Sequence, residues 1–96
     1  QILIMKNESQ HKLIVGIFDP NEAKTLLNSL INNKISFHSL EDFSSQIRFN
    51  KDTNHSKKRI EELIKMKGLI EEVIHLAETE KHTLEIECMI KISVNK

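Results

Sequence analysis

Thr83-Leu84-Glu85-Ile86-Glu87-Cys88-Met89-Ile90-Lys91-Ile92-Ser93-Val94 is the stretch that decides the fold. Leu84, Ile86, Cys88, Ile90, Ile92 and Val94 take every second position, with Glu85, Glu87, Met89, Lys91 and Ser93 between them. Successive side chains of a strand point to opposite faces, so a period of two held this long means a half-buried β-strand. One face of it needs a cover, and the rest of the chain reads as that cover.

Immediately upstream lies a long helix, expected from Thr53 or Asn54 to about Lys81. Its apolar positions include Ile60, Leu63, Ile64, Met66, Ile70, Val73, Ile74 and Ala77. Leu69 and Leu76 widen the stripe to nearly half the circumference. One contact with a sheet does not need so wide a face, so a sheet is expected on one flank and the first helix, or another subunit, on the other. Gly68 in mid-helix costs up to about 1 kcal/mol relative to Ala and marks either close packing or tolerance. Helix and strand are each about 40 Å long at their respective rises, so the strand runs back along the helix after a turn at His82-Thr83. It is longer than either N-terminal strand. Its overhang leaves backbone groups unpaired unless another chain supplies partners.

At the other end, Ile2-Leu3-Ile4-Met5 and the alternation of Leu13, Val15 and Ile17 with Ile14, Gly16 and Phe18 read as a hairpin. Asn7-Glu8-Ser9-Gln10 is its expected four-residue connection. Gly16 marks a bulge or a close backbone approach. Asp19-Pro20-Asn21-Glu22 opens a helix: Asp19 caps it, Pro20 suits the first helical position, and Glu22 reaches back to the cap. Ala23, Leu26, Leu27, Leu30 and Ile31 form its apolar stripe, and Asn32-Asn33 is the expected stop. From Ile35 to Asn54 no period is sustained, which predicts a long loop carrying Phe37, His38, Phe43, Arg48 and Phe49, with Ser39 and Asp42 capping one short turn.

These readings give a single domain over residues 1–96. Its class is α+β: a small antiparallel sheet, built from the N-terminal hairpin and the long C-terminal strand, covered on one face by two helices in the order β-β-α-loop-α-β. The opposite face is expected to carry Leu3, Met5, Ile14, Phe18 and Met89. That is apolar enough to suggest an oligomer interface, most simply that of a dimer.

Composition bounds the rest. Lys plus Arg equals Asp plus Glu at 14 each, which argues against a chain whose main task is to coat nucleic acid or anionic lipid. No apolar run approaches a membrane span. The single cysteine, Cys88, allows no disulfide within the chain and fits a reducing, cytoplasmic setting. The chain begins at Gln1 rather than Met, which points to residues upstream.

Three constellations bear on chemistry. Glu71, His75, Glu78 and His82 recur at helical spacing on one flank of the long helix, but no facing ligands complete a metal site, and a solvated face of Glu–His pairs is the simpler reading. Ser44 and Ser45 stand near His38 and Asp42 without a glycine-rich elbow, so they read as turn hydroxyls rather than nucleophiles. No catalytic residue, metal or cofactor is expected. Arg48, Lys51, Lys57, Lys58 and Arg59 form a basic cluster that suits an anionic ligand or nucleic acid, although Glu61 and Glu62 follow at once.

The segment Lys34-Ile35-Ser36-Phe37-His38 through Phe43-Ser44-Ser45-Gln46-Ile47-Arg48-Phe49-Asn50-Lys51-Asp52 resembles a segment of small uncharacterised bacterial proteins, with similarity extending into Lys58-Arg59-Ile60-Glu61-Glu62-Leu63. The resemblance implies a small bacterial protein with a characteristic Phe- and Arg-bearing central segment, and it carries no activity. The expected function is therefore a non-enzymatic, homo-oligomeric interaction or accessory module. Its candidate surface for a protein partner is Phe37, His38, Phe43, Arg48, Phe49 and Lys51. Binding of an anionic ligand or nucleic acid is the alternative.

Overall fold

A computed structural model describes the backbone of residues 3–5, 7–49 and 54–95, with the side chains of 7–41, 43 and 55–95. Its elements are β1 (Leu3–Met5), β2 (Glu8–Phe18), α1 (Pro20–Phe49), α2 (Asn54–Glu80) and β3 (Leu84–Ser93). The strands form one antiparallel sheet in the order β1-β2-β3, and the class is α+β with a small sheet.

The ladder between β2 and β3 dominates. It runs from Phe18 opposite Leu84 to Glu8 opposite Ser93. β2 is 11 residues long and β3 is 10, so the expected overhang of the last strand does not exist. Glu8, Ser9 and Gln10, expected in the hairpin connection, are strand residues instead, because the ladder to β3 satisfies their backbone groups. The bulge falls at Leu13, between Lys12 and Ile14, rather than at Gly16. Gly16 is a close approach: a Cβ there would lie 3.3 Å from the Phe18 ring.

The register corrects the expected division of the sheet's faces. Residues directly opposite each other share a face, so Ile14 and Phe18 lie with Cys88 and Leu84. Met89, opposite Lys12, lies on the other face. Ile14 is buried and Phe18 half-buried, while Met89 is exposed. Ile14, Phe18 and Met89 therefore do not form one open patch. The extra residue at Leu13 adjusts the β2 alternation to that of β3.

The start of α1 is built as the sequence predicts. Asp19 Oδ1 accepts from the Glu22 N–H at 2.8 Å, and Glu22 Oε1 accepts from the Asp19 N–H at 3.0 Å. The end of α1 is not. The helix passes through Asn32 and Asn33 and continues to Phe49, so the predicted loop from Ile35 is helical as far as Phe49. No Gly or Pro interrupts residues 21–49. The inward-facing series Ile31, Ile35 and His38 continues the earlier stripe. Phe37, Leu40 and Phe43 belong to a second, exposed set. Two offset sets on one helix erase the simple period that a single stripe would show. A Cβ at Gly68 of α2 would meet no described atom beyond its own helix backbone within 4 Å, so tolerance rather than close packing explains it.

α2 ends in a tight cap. The His82 N–H donates to the Ala77 carbonyl at 2.8 Å and the Lys81 N–H to Glu78 at 3.3 Å, with Lys81 at φ 60°. This is the Schellman arrangement, with lysine where glycine is usual. It turns the chain into β3 at the expense of a left-handed lysine.

α1 and α2 pack against each other as an antiparallel hairpin, and α1 is the helix that meets both β2 and β3. The buried apolar side chains among the described residues are Ile14, Ala23, Ile31, Leu63, Ile74 and Ala77. The fold is elongated: its extents are 50 × 35 × 15 Å and its radius of gyration is 16.8 Å, against about 12.5 Å for a compact domain of this length.

Two substitutions test this backbone in urea unfolding. Ser36→Pro, at an exposed position of α1, is expected to lower stability by about 3 kcal/mol or more if the helix is continuous, and by far less if the segment is a loop. Lys81→Gly is expected to raise stability by about 1 kcal/mol by relieving the left-handed lysine.

Candidate functional site

The buried polar contacts among the described residues centre on one cluster between α1 and the first turn of α2. Ser56, 6% exposed, donates its hydroxyl to Glu41 Oε1 at 2.8 Å. The same carboxylate oxygen lies 3.5 Å from Nδ1 of His38, which is 7% exposed. Among the described residues neither ring nitrogen of His38 has a hydrogen-bond partner. Phe37 stands edge-on to His38 with centroids 5.6 Å apart, and Lys34 Nζ sits 4.8 Å from the Phe37 centroid. The Ser56 hydroxyl is the main cause holding the Glu41 carboxyl below its ordinary value; burial opposes it, and His38 and His55 add to it.

The residue types match a hydrolytic triad, but the connections do not. In a triad the base stands between nucleophile and carboxylate. Here the carboxylate stands between serine and imidazole, so Ser56 is bonded to the acid rather than to a base. What the arrangement does is fasten α1 to α2. Sequence reasoning singled out His38 but neither Glu41 nor Ser56. They are 15 positions apart, and only the continuation of α1 past Asn33 brings them together.

The larger feature is apolar surface left open. Leu13, Val15 and Ile17 of β2 are all more than half exposed. On the opposite face, Leu84, Ile86 and Cys88 are half-buried, whereas Ile90 and Ile92 are exposed. The helices carry a second apolar surface: Leu30, Phe37 and Leu40 on α1, and Met66, Leu69, Val73 and Leu76 on α2. In each helix this set lies about 100° behind the buried set, at about 100° per residue. The helices run antiparallel, so the same offset places both sets on one side of the hairpin. The other side is mostly polar, with Ile64 of α2 as an exposed apolar residue on it. There Lys24, Glu71, Ile74, His75 and Glu78 line a shallow groove of about 250 Å³.

The predicted partner-binding residues divide. Phe37 and Phe43 are exposed, as a contact surface requires, and His38 is buried within the fold. Arg48 and Phe49 fall on the last turn of α1, with side chains outside the described residues, and Lys51 lies outside them altogether. Of the basic cluster, Lys57 and Lys58 are exposed, and Arg59 faces Glu62 at 3.7 Å. Leu3 and Met5 pair with Gln10 and Glu8 through their backbones, and their side chains are outside the described residues. Asp42, Ser44 and Ser45 are in the same position. On the Glu71–His82 flank, His75 approaches Glu78 at 3.9 Å and His82 approaches Glu80 at 3.8 Å. Among the described residues no three His, Cys, Asp or Glu side chains are grouped to hold a metal ion, and no helix is long and apolar enough to cross a membrane.

No family model, curated protein or solved structure matches the chain.

The clamp has a pH signature. A carboxyl held low in the folded state contributes stability above its unfolded value, and that contribution disappears as pH falls through the folded value. Ser56→Ala is expected to move the Glu41 titration, followed by NMR, upward towards the ordinary carboxylate range. It is also expected to destabilise the chain at neutral pH. The difference from the parent chain should shrink as the solution is acidified through the Glu41 titration.

Proposed function

We propose that this chain is a small non-enzymatic interaction module that works as a homo-oligomer, most simply a dimer. One observation carries the reading. The chain exposes 7803 Å², whereas a compact monomer of 11.2 kDa exposes about 5,700 Å². The excess of about 2,100 Å² is more than twice the ~800 Å² that each partner buries in an interface of standard size. Leu30, Phe37, Leu40, Met66, Leu69, Val73 and Leu76 group on one side of the helix hairpin, and such an exposed apolar patch supports this reading.

A second reading keeps an anionic ligand or nucleic acid as the partner. In its favour, the first turn of α2 holds no acidic residue, and Lys57, Lys58 and Arg59 gather close to that helix N-terminus. It requires binding of a short RNA or DNA at low salt that weakens steeply as salt is added.

Light scattering across a dilution series separates the readings. Self-association gives a molar mass of at least twice 11.2 kDa. A monomer at every concentration contradicts it. Ile92→Glu, at a position 54% exposed in the single chain, is expected to leave the helix content unchanged and to weaken association by about tenfold or more, as loss of a buried isoleucine implies.

A further inference from the structure

Taking self-association as given, we infer that the second copy docks along β3, pairing antiparallel with the same strand of its partner about a two-fold axis at Met89. The two sheets then become one.

β3 is the terminal strand of the sheet and pairs only with β2 among the described residues. The Val94 N–H donates to the Asn7 carbonyl at 2.7 Å, so the even-numbered positions of β3 bond inwards to β2. In an antiparallel ladder the alternate residues turn their N–H and C=O groups the other way. Glu85, Glu87, Met89, Lys91 and Ser93 therefore present theirs at the outer edge. The usual protections of a free edge are sparse: β3 contains no proline, its ladder is broken only by the bulge on β2, and Lys91 is its single basic residue.

The sequence of β3 is complementary to itself when reversed. With the axis at Met89, Glu87 of each chain faces Lys91 of the other, and Glu85 faces Ser93. On the alternate face Cys88 meets Ile90, Ile86 meets Ile92, and Leu84 meets Val94. A shift by one residue would set apolar positions beside charged ones. A shift by two, to an axis at Cys88, would bring the two Glu87 carboxylates into diagonal contact, which like charges disfavour. The Met89 axis avoids both. It joins the edges by about ten main-chain hydrogen bonds, at two per facing pair.

Burial along β3 fits the same arrangement. Leu84, Ile86 and Cys88 are half-buried, and Ile90, Ile92 and Val94 are exposed. The two-fold axis lays the exposed end of each strand beside the half-buried end of the other. Lys91 already approaches Glu8 of its own chain at 3.5 Å, and in the pair it would stand between that carboxylate and Glu87 of the second copy.

A charge swap followed by sedimentation equilibrium tests the pairing. Glu87→Lys and Lys91→Glu should each weaken self-association by about tenfold, since two symmetric cross-strand pairs turn repulsive. Combining them should restore most of the loss, even though the Lys91–Glu8 contact stays broken in both the single and the double variant. If the parent chain associates and Glu87→Lys does not weaken it, or the double variant fails to recover, β3 pairing is overturned while self-association stands. Recovery by Glu85→Lys with Lys91→Glu instead overturns the Met89 axis. A monomeric parent chain overturns both the pairing and the reading beneath it.

Discussion

The antiparallel ladder between β2 and β3 constrains everything else in the fold. It joins residues 8–18 to residues 84–93, and it opens and closes at the same end, where Phe18 faces Leu84. Whatever lies between must leave from that end and return to it. Two antiparallel helices of nearly equal length, 30 and 27 residues, do this with little wasted chain. The Asp19–Glu22 capping box fixes the departure, and the left-handed Lys81 fixes the return. Far from the sheet, where no strand can hold the helices, the Ser56–Glu41 hydrogen bond and the buried His38 fasten them to each other.

Most of this was legible in the sequence where one periodicity ruled a segment. β3 alternates cleanly because one face is charged, and the α1 start is written in four residues. The far half of α1 was not legible. Phe37, Leu40 and Phe43 lie on a different side of the helix from Ile31, Ile35 and His38. A reader looking for one stripe sees none and infers a loop. The faces of β2 are hidden for a related reason: Leu13, Val15 and Ile17 are apolar, and so are Ile14 and Phe18 between them, so only the register with β3 chooses the covered set. The Glu41–Ser56 clamp followed from the missed helix, since neither residue has a partner until α1 reaches position 41.

The second apolar set that obscured α1 also bears on function. A self-sufficient monomer of this size would hide it. Here the helices use one side to meet each other and leave another side apolar. The sheet likewise keeps exposed leucine, valine and isoleucine on both faces. Among the described residues the buried apolar side chains are few and include two alanines, so this core supplies limited stability. On the proposed reading such a chain gains the remainder by association, and folding is then coupled to concentration.

That coupling is the most direct thing to measure. The thermal unfolding midpoint should be recorded over a hundredfold range of protein concentration. If a second copy covers the open surface, Tm rises steadily with concentration, because association draws the equilibrium towards the folded state. A Tm that stays constant across the whole range would mean that the single chain is stable with its apolar faces in water, and would contradict the proposal that they exist to be covered.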